Sequence, residues 1–233
     1  MPMSLPAPAL EHTREMARLW QVAVTASGDG RYDDAVDSFS KVLKLFPQEY
    51  AGDTVQYGAH CERGECYTGV KQFNKAVDDF NWCLRYKPND EAVIFCRAET
   101  YANWGKWVDA AHDYGRCVEL KPKDSDNIAH YARALIKLKQ YAKAIHEYDM
   151  ILRATPEDDD VWRARADAEL LQGNYKEAAD NYSKAIGYDS DVGWYYNYRA
   201  RAYEKLGKPD LAAKDRKKAQ EMHFKEKPGD LGL

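Results

Sequence analysis

The sequence repeats one short pattern of residue types five times at a nearly fixed spacing. Each copy has an aromatic residue, an alanine three residues later and a second aromatic four residues after that, and four copies continue to a proline. The alanines of these copies, and one further alanine in register, are Ala35, Ala76, Ala110, Ala144, Ala178 and Ala212. From Ala76 onward the interval is 34 residues. A fixed period of this length is typical of stacked helical hairpins, which bury their apolar faces against their neighbours.

Each period contains the signals for two amphipathic helices and the turns that end them. Small and apolar residues recur at helical spacing in both halves of the period. A glycine free to take positive φ separates the halves in four copies, at Gly30, Gly105, Gly173 and Gly207, whereas Lys71 and Lys139 stand there in the other two. The proline stops the second helix, and an aspartate or asparagine that follows it can cap the next one. The pattern therefore predicts six helical hairpins.

Two sets of residues in the period have an expected packing role. The alanines let helices approach closely, so a bulky residue at Ala110 or Ala144 would overpack the interface. Four arginines each precede the small residue of a first helix, at Arg63, Arg97, Arg165 and Arg199. We expect their aliphatic stems to pack between helices.

Composition limits the class of protein. Hydrophobic residues make up 45% of the chain, which is enough to bury a core. The net charge is −4, and no broad basic stripe of the kind that nucleic acid requires is present. No secretory signal or apolar run long enough to cross a membrane is found. Because the five cysteines are odd in number and scattered, they indicate reduced thiols, and we expect a cytoplasmic protein in a reducing compartment.

The repeated pattern resembles that of the tetratricopeptide repeat family. The second copy fits best, with Gly64, Tyr67, Phe73, Phe80 and Pro88 at family positions. The resemblance implies an all-α fold, a right-handed superhelical solenoid of antiparallel helix pairs, over residues 16–220. Its six repeats would be 16–49, 57–90, 91–124, 125–158, 159–192 and 193–220. Residues 1–15 would form a proline-containing arm and residues 221–233 a tail.

Departures from the family pattern fall near the two ends. Residues 50–56 are an insertion, read either as a longer loop or extra helical turn or as a dedicated contact site. Arg216 stands where the other copies have an aromatic residue, and this charge predicts that the last helix caps the array.

The resemblance also implies that the first helices of successive hairpins line a concave surface that binds a partner protein or peptide. The expected partner-binding residues are Phe95, Glu99, His130, Arg133, Arg163, Asp167, Trp194, Asn197, Tyr198 and Arg201. Arginines and aromatic residues dominate binding hot spots. We expect the three arginines to read a carboxylate-bearing segment, and Phe95 and Trp194 to accept apolar anchors. The alternative is that the arginines pair with Glu99, Asp167 and Glu169 on neighbouring helices and merely solvate the face.

Other kinds of site lack support in the sequence. No cofactor is expected, because phosphate-binding loops, paired catalytic carboxylates and cysteine–histidine spacings suited to zinc or to a nucleophile are absent. The residues with which some family members hold the tails of heat-shock chaperones are also missing. The sequence thus predicts a non-enzymatic interaction adaptor. The alternative is a fixed structural subunit of a larger assembly, held through its convex face and ends.

Overall fold

The computed structural model describes residues 7–45 and 54–222, with side chains from residue 14 onward. These residues form twelve α-helices and no strand. The helices are α1 (Ala7–Gly28), α2 (Tyr32–Leu45), α3 (Thr54–Gly69), α4 (Phe73–Tyr86), α5 (Glu91–Asn103), α6 (Trp107–Leu120), α7 (Ser125–Lys137), α8 (Tyr141–Ala154), α9 (Asp159–Gln172), α10 (Tyr175–Tyr188), α11 (Gly193–Lys205) and α12 (Pro209–Glu221). They fall into two compact units, Met1–Leu120 and Lys121–Leu233.

The first unit holds the hairpins α1/α2, α3/α4 and α5/α6. The second helix of each hairpin also packs on the first helix of the next one, α2 on α3 and α4 on α5. The repeated alanine and aromatic supply the core, since Ala35 and Phe39 are fully buried. Trp20 of α1 meets Phe39 edge-on at a centroid distance of 5.4 Å. The pattern read from the sequence therefore lies inside the hairpins.

The second unit holds the hairpins α7/α8, α9/α10 and α11/α12, packed in the same way. One of its core clusters joins three helices through Ala166, Ala178, Tyr182, Tyr198 and Ala202. The predicted all-α arrangement of consecutive helix pairs is confirmed in both units.

Aspartates begin the first helices where the sequence predicted caps. Asp90, Asp124 and Asp158 each accept a hydrogen bond from the backbone N–H three residues later, at 3.4, 3.1 and 3.0 Å. Such a side chain satisfies an amide that the helix itself leaves unpaired and places negative charge at the positive end of the helix.

All six turns inside the hairpins use the left-handed backbone conformation. Glycine occupies four of them, with φ between 68° and 93°. Lys71 and Lys139 take φ of 60° and 59° in the other two. The turn geometry is therefore a property of the repeat, and the two lysines adopt it at a steric cost that glycine avoids.

Two helices begin earlier than the repeat boundaries indicated. α1 begins at Ala7, inside the residues expected to form an arm, and Pro8 lies in its first turn, where proline is tolerated. α3 begins at Thr54, so three residues of the 50–56 insertion extend this helix. Residues 1–6 of the expected arm, residues 50–53 and residues 223–233 of the expected tail lie outside the described residues.

Candidate functional site

The ten residues expected to bind a partner lie on four first helices. Phe95 and Glu99 belong to α5 in the first unit. The other eight lie in the second unit, on α7 (His130, Arg133), α9 (Arg163, Asp167) and α11 (Trp194, Asn197, Tyr198, Arg201).

In the first unit, both expected residues contact the second helix of their own hairpin. The Tyr114 hydroxyl donates a hydrogen bond to Glu99, and the Phe95 ring meets the Tyr114 ring edge-on at a centroid distance of 5.6 Å. Tyr114 itself is buried. Phe95 and Glu99 are half-buried and contribute to hairpin packing.

In the second unit, Asp167 is buried at the centre of the expected residues, with 4% of its surface exposed. It accepts hydrogen bonds from the Tyr182 hydroxyl at 2.6 Å and from Nη1 of Arg163 at 3.0 Å. Burial raises the pKa of Asp167, while the charges of Arg163 and Arg201 and the hydrogen bond from Tyr182 oppose that rise. Arg163 thus has an acidic partner within its own helix, whereas the alternative interpretation expected partners on neighbouring helices. Glu169, the other acidic residue considered on α9, contacts Arg165 instead.

Aromatic rings connect Arg163 to α11. The guanidinium of Arg163 lies 4.8 Å from the Trp194 ring centroid, and that of Arg201 lies 5.1 Å from the Tyr198 ring centroid. Trp194 meets Tyr198 edge-on at 5.6 Å. Cations over aromatic faces are favourable, more so where water is excluded. Here Trp194 and Arg201 are half-buried and Tyr198 is buried.

Arg133 of α7 is exposed, and its charge acts on Tyr148, as that of Asp167 does. Burial raises the pKa of the Tyr148 hydroxyl to about 12, Asp167 adds to that rise, and the charges of Arg163 and Arg133 oppose it. Arg133 therefore lies near the Asp167 cluster. Among the described residues it makes no hydrogen bond and no ion pair. We call Arg133, Arg163, Trp194, Tyr198 and Arg201 the arginine face.

The remaining expected residues differ in exposure. Asn197 and Tyr198 are buried, 6% and 3% exposed, and His130 is half-buried. The Nδ2 atom of Asn197 is buried without a hydrogen-bond partner among the described residues. In the second unit, the expected side chains that are exposed or half-buried are therefore His130, Arg133, Arg163, Trp194 and Arg201.

Sequence reasoning missed a recurring ion pair within the hairpins. Arg63, Arg97 and Arg199 each donate two hydrogen bonds, at 2.7–2.8 Å, to the aspartate sixteen residues later. Each also donates to a polar residue on the preceding second helix, namely Ser40, Asn81 or Ser183. The guanidinium, in addition to the expected aliphatic stem, thus ties two consecutive second helices together. The repeated sixteen-residue spacing from arginine to aspartate was the available signal.

In the fifth hairpin the arginine at this position is Arg165, and its acidic partner lies on the other second helix. Arg165 donates to Asp149 on the preceding second helix at 2.7 Å. Asn181 occupies the position that holds Asp79, Asp113 or Asp215 in those three hairpins, and its Nδ2 atom has no partner among the described residues. The acidic partner has moved from one second helix to the other, but the arginine remains paired.

Within the described ranges, no group of three or more histidine, cysteine, aspartate or glutamate side chains could hold a metal ion. No helix in the same ranges combines the length and the apolar character that a membrane span requires.

Comparison with known proteins gives a family-model match for part of the chain. Residues 105–168 match the family model described as Tetratricopeptide repeat. No curated protein sequence matches the chain significantly. A tetratricopeptide repeat protein from Parabacteroides merdae has a similar fold, with a TM-score of 0.76 and 19% identity over 90% of this chain and 80% of that one.

Two structures of MamA are similar as well. One has a TM-score of 0.66 with 21% identity and covers 76% of this chain and 97% of its own. MamA from Desulfovibrio magneticus, residue 41 to the end, has a TM-score of 0.67 with 17% identity and covers 74% and 97%. At these identities the likeness shows the fold. Together with the six helical hairpins, it shows a tetratricopeptide-type fold, and the family model identifies residues 105–168 as tetratricopeptide repeat sequence.

Proposed function

We propose that this protein is a non-enzymatic adaptor that binds a carboxylate-bearing segment of a partner protein on its arginine face. The observation that carries the proposal is the exposure of Arg133 beside a buried cluster of aromatic residues and one buried carboxylate. The tetratricopeptide fold supports a protein-interaction role in general. The residues of the second unit indicate which kind of ligand this face would bind.

The charges on this face favour an anionic ligand. The charges of Arg163 and Arg201 both act on Asp167, whose two oxygens are already engaged by Arg163 and Tyr182. The exposed Asp160 lies 3.8 Å from Arg163 and offsets part of the remaining charge. Arg133 is exposed and adds a further positive charge to this face. Guanidinium groups can bind a carboxylate through two parallel hydrogen bonds, which gives direction as well as attraction.

The same face offers a place for an apolar side chain. Trp194 is half-buried, and its ring is held by Arg163 and by the Tyr195 and Tyr198 rings at 4.6 and 5.6 Å. A large ring that is already fixed loses little conformational entropy when it binds a ligand. We therefore expect a segment that combines acidic residues with an apolar anchor.

The three arginines have different roles in this proposal. Arg163 holds the buried Asp167, so its replacement would leave a buried charge without a partner. Arg133 and Arg201 can be changed without breaking that pair. They are the residues that we expect to contact the ligand.

The test is peptide selection followed by charge reversal. A library of random peptides displayed on phage is selected on the full-length protein, and selected peptides are made with a fluorescent label. Binding is measured by anisotropy for the wild type and for the Arg133→Glu plus Arg201→Glu variant. The control, Arg153→Glu plus Lys176→Glu, makes the same change in net charge at exposed positions on α8 and α10.

The proposal predicts peptides rich in aspartate and glutamate with an aromatic or aliphatic residue. Loss of two charge-assisted contacts should weaken their binding at least tenfold in the first variant and less than threefold in the control, with circular dichroism unchanged. Equal affinity of both variants would refute it. Selection of peptides that bind the second helices would instead support a subunit held through its opposite face.

A further inference from the structure

Two cysteines of the second hairpin face each other across its two helices. Cys61 lies on α3 and Cys83 on α4, and their sulfur atoms are 3.0 Å apart. Both are free thiols. This separation is about 1 Å longer than a disulfide bond, so a small movement would bring the sulfurs to bonding distance.

The other three cysteines have different neighbours. The sulfur of Cys66 lies 3.5 Å from the Ser27 hydroxyl, that of Cys96 lies 3.5 Å from the Glu65 carboxylate, and that of Cys117 lies 3.7 Å from the Glu91 carbonyl. Cys117 occupies the same position in its hairpin as Cys83 does in the preceding one. It is therefore a matched cysteine that does not face another thiol at the distance seen for Cys83.

The two thiols differ in access to solvent. Cys83 is fully buried and forms part of a core cluster with Tyr57, Ala76 and Phe80. Cys61 is half-buried, so a small oxidant can reach it. The hydrogen bond with Cys61, followed by burial, raises the pKa of the Cys83 thiol, so Cys83 keeps its proton in the hairpin core.

We propose that Cys61 and Cys83 form a reversible disulfide when the protein meets a hydroperoxide. The Cys61 thiolate attacks one oxygen of hydrogen peroxide, the O–O bond breaks, and Cys61 sulfenic acid and hydroxide are formed. The Cys83 sulfur then attacks the Cys61 sulfur. The S–S bond forms, the S–O bond breaks, and the Cys83 proton leaves with the departing oxygen as water. In total, two thiols and one hydrogen peroxide yield one disulfide and two waters.

The position of the pair gives this modification a structural consequence. The disulfide would tie α3 to α4 across the buried interface of one hairpin and remove both thiols from further oxidation. Because Cys61 is not fully buried, a thiol reductant can reach the bond and restore the reduced form. The site is independent of the arginine face, which lies in the other unit.

The test uses the full-length folded protein and peptide mapping. The reduced protein is treated with hydrogen peroxide, denatured, alkylated with iodoacetamide and digested with trypsin. Lysine or arginine separates all five cysteines in the sequence, so each lies on its own peptide. We expect one linked pair of peptides, carrying Cys61 and Cys83, with the mass lowered by the loss of two hydrogens and restored by dithiothreitol.

Three variants make the result decisive. The Cys61→Ser protein should give no link, and the Cys117→Ala protein should give the same link as the wild type. In Cys83→Ala, which removes only a small group, Cys61 should remain as a sulfenic acid that dimedone traps. A link between Cys61 and Cys96, or oxidation of wild-type Cys61 to sulfinic acid without a link, would overturn the proposal. So would alkylation of Cys61 and Cys83 that peroxide leaves unchanged.

Discussion

The reversed placement of the acidic partner seen around Arg165 can be recreated around Arg97 by mutation. In the third hairpin, Arg97 is held by Asp113 on its own second helix and by Asn81 on the preceding one. Around Arg165 of the fifth hairpin, Asp149 on the preceding second helix and Asn181 on its own second helix stand at the equivalent positions in reversed order. The Asp113→Asn change alone removes the acid from the third hairpin. Adding Asn81→Asp recreates the arrangement of the fifth.

The structure sets the size of the expected effects. The side chains of Asp113 and Arg97 are 1% and 15% exposed, so the pair is largely shielded from water. Breaking a buried pair from one side costs roughly 3–5 kcal/mol. Because Arg97 keeps some contact with water and its hydrogen bond to Asn81, we expect the lower end, about 3 kcal/mol, for Asp113→Asn.

The double variant should recover part of this loss. The natural counterpart Asp149 is 40% exposed, so its ion pair with Arg165 is screened more than the buried pair of Asp113. We therefore expect Asn81→Asp to restore about half of the lost stability in the Asp113→Asn background. In the wild-type background, where Asp113 is present, Asn81→Asp should change stability by less than about 1 kcal/mol.

The assay is urea denaturation, followed by circular dichroism, of the wild type, the two single variants and the double variant. Asp109→Asn serves as a control for removal of an exposed acid on α6. The change of about 3 kcal/mol should lower the midpoint by about 1 M urea. A double variant as unstable as Asp113→Asn alone would refute the inference that the two positions serve the same arginine.

Three further predictions concern turns, core packing and titration. Lys71→Gly should stabilise the protein by roughly 0.5–1 kcal/mol in urea denaturation, because the φ of 60° at Lys71 suits glycine. Lys143→Gly within α8 should destabilise it by about as much. Ala144→Leu should lower the free energy of unfolding by roughly 1–3 kcal/mol in the same assay, because Ala144 is fully buried. Ala142→Leu at an exposed position should be nearly neutral. Equal urea midpoints for the two variants would contradict the placement of Ala144 in the core. Burial raises the Tyr148 pKa from 10.0 to about 12, so this group's contribution to stability is present below pH 10 and is lost as pH rises toward 12. Urea denaturation across that range should show a smaller loss in Tyr148→Phe, and an unchanged loss would count against the assigned burial.

Much of the fold could be predicted because its signals are local. Alanine and aromatic residues at helical spacing indicate the hairpin core, and Asp90 after a proline indicates a cap. Even the left-handed turn at Lys71 follows from its register with the glycines of other copies.

The contacts that cross from one helix to another were harder to predict. Arg97 and Asp113 are sixteen residues apart on opposite arms of a hairpin, so their contact depends on how the helices pack. The same holds for the sulfurs of Cys61 and Cys83. The alternative interpretation placed the acidic partner of Arg163 on a neighbouring helix, whereas Asp167 lies four residues away on the same helix, where side chains face each other.

The central claim, that the first helices of the second unit bind an acidic segment, is tested most directly by hydrogen–deuterium exchange of the full-length protein. Exchange is measured with and without a saturating acidic peptide obtained by the selection described above. The account predicts slower exchange on α7, α9 and α11, centred on Arg133 and Arg201. Slower exchange confined to α8, α10 and α12, with the first helices unchanged, would contradict it.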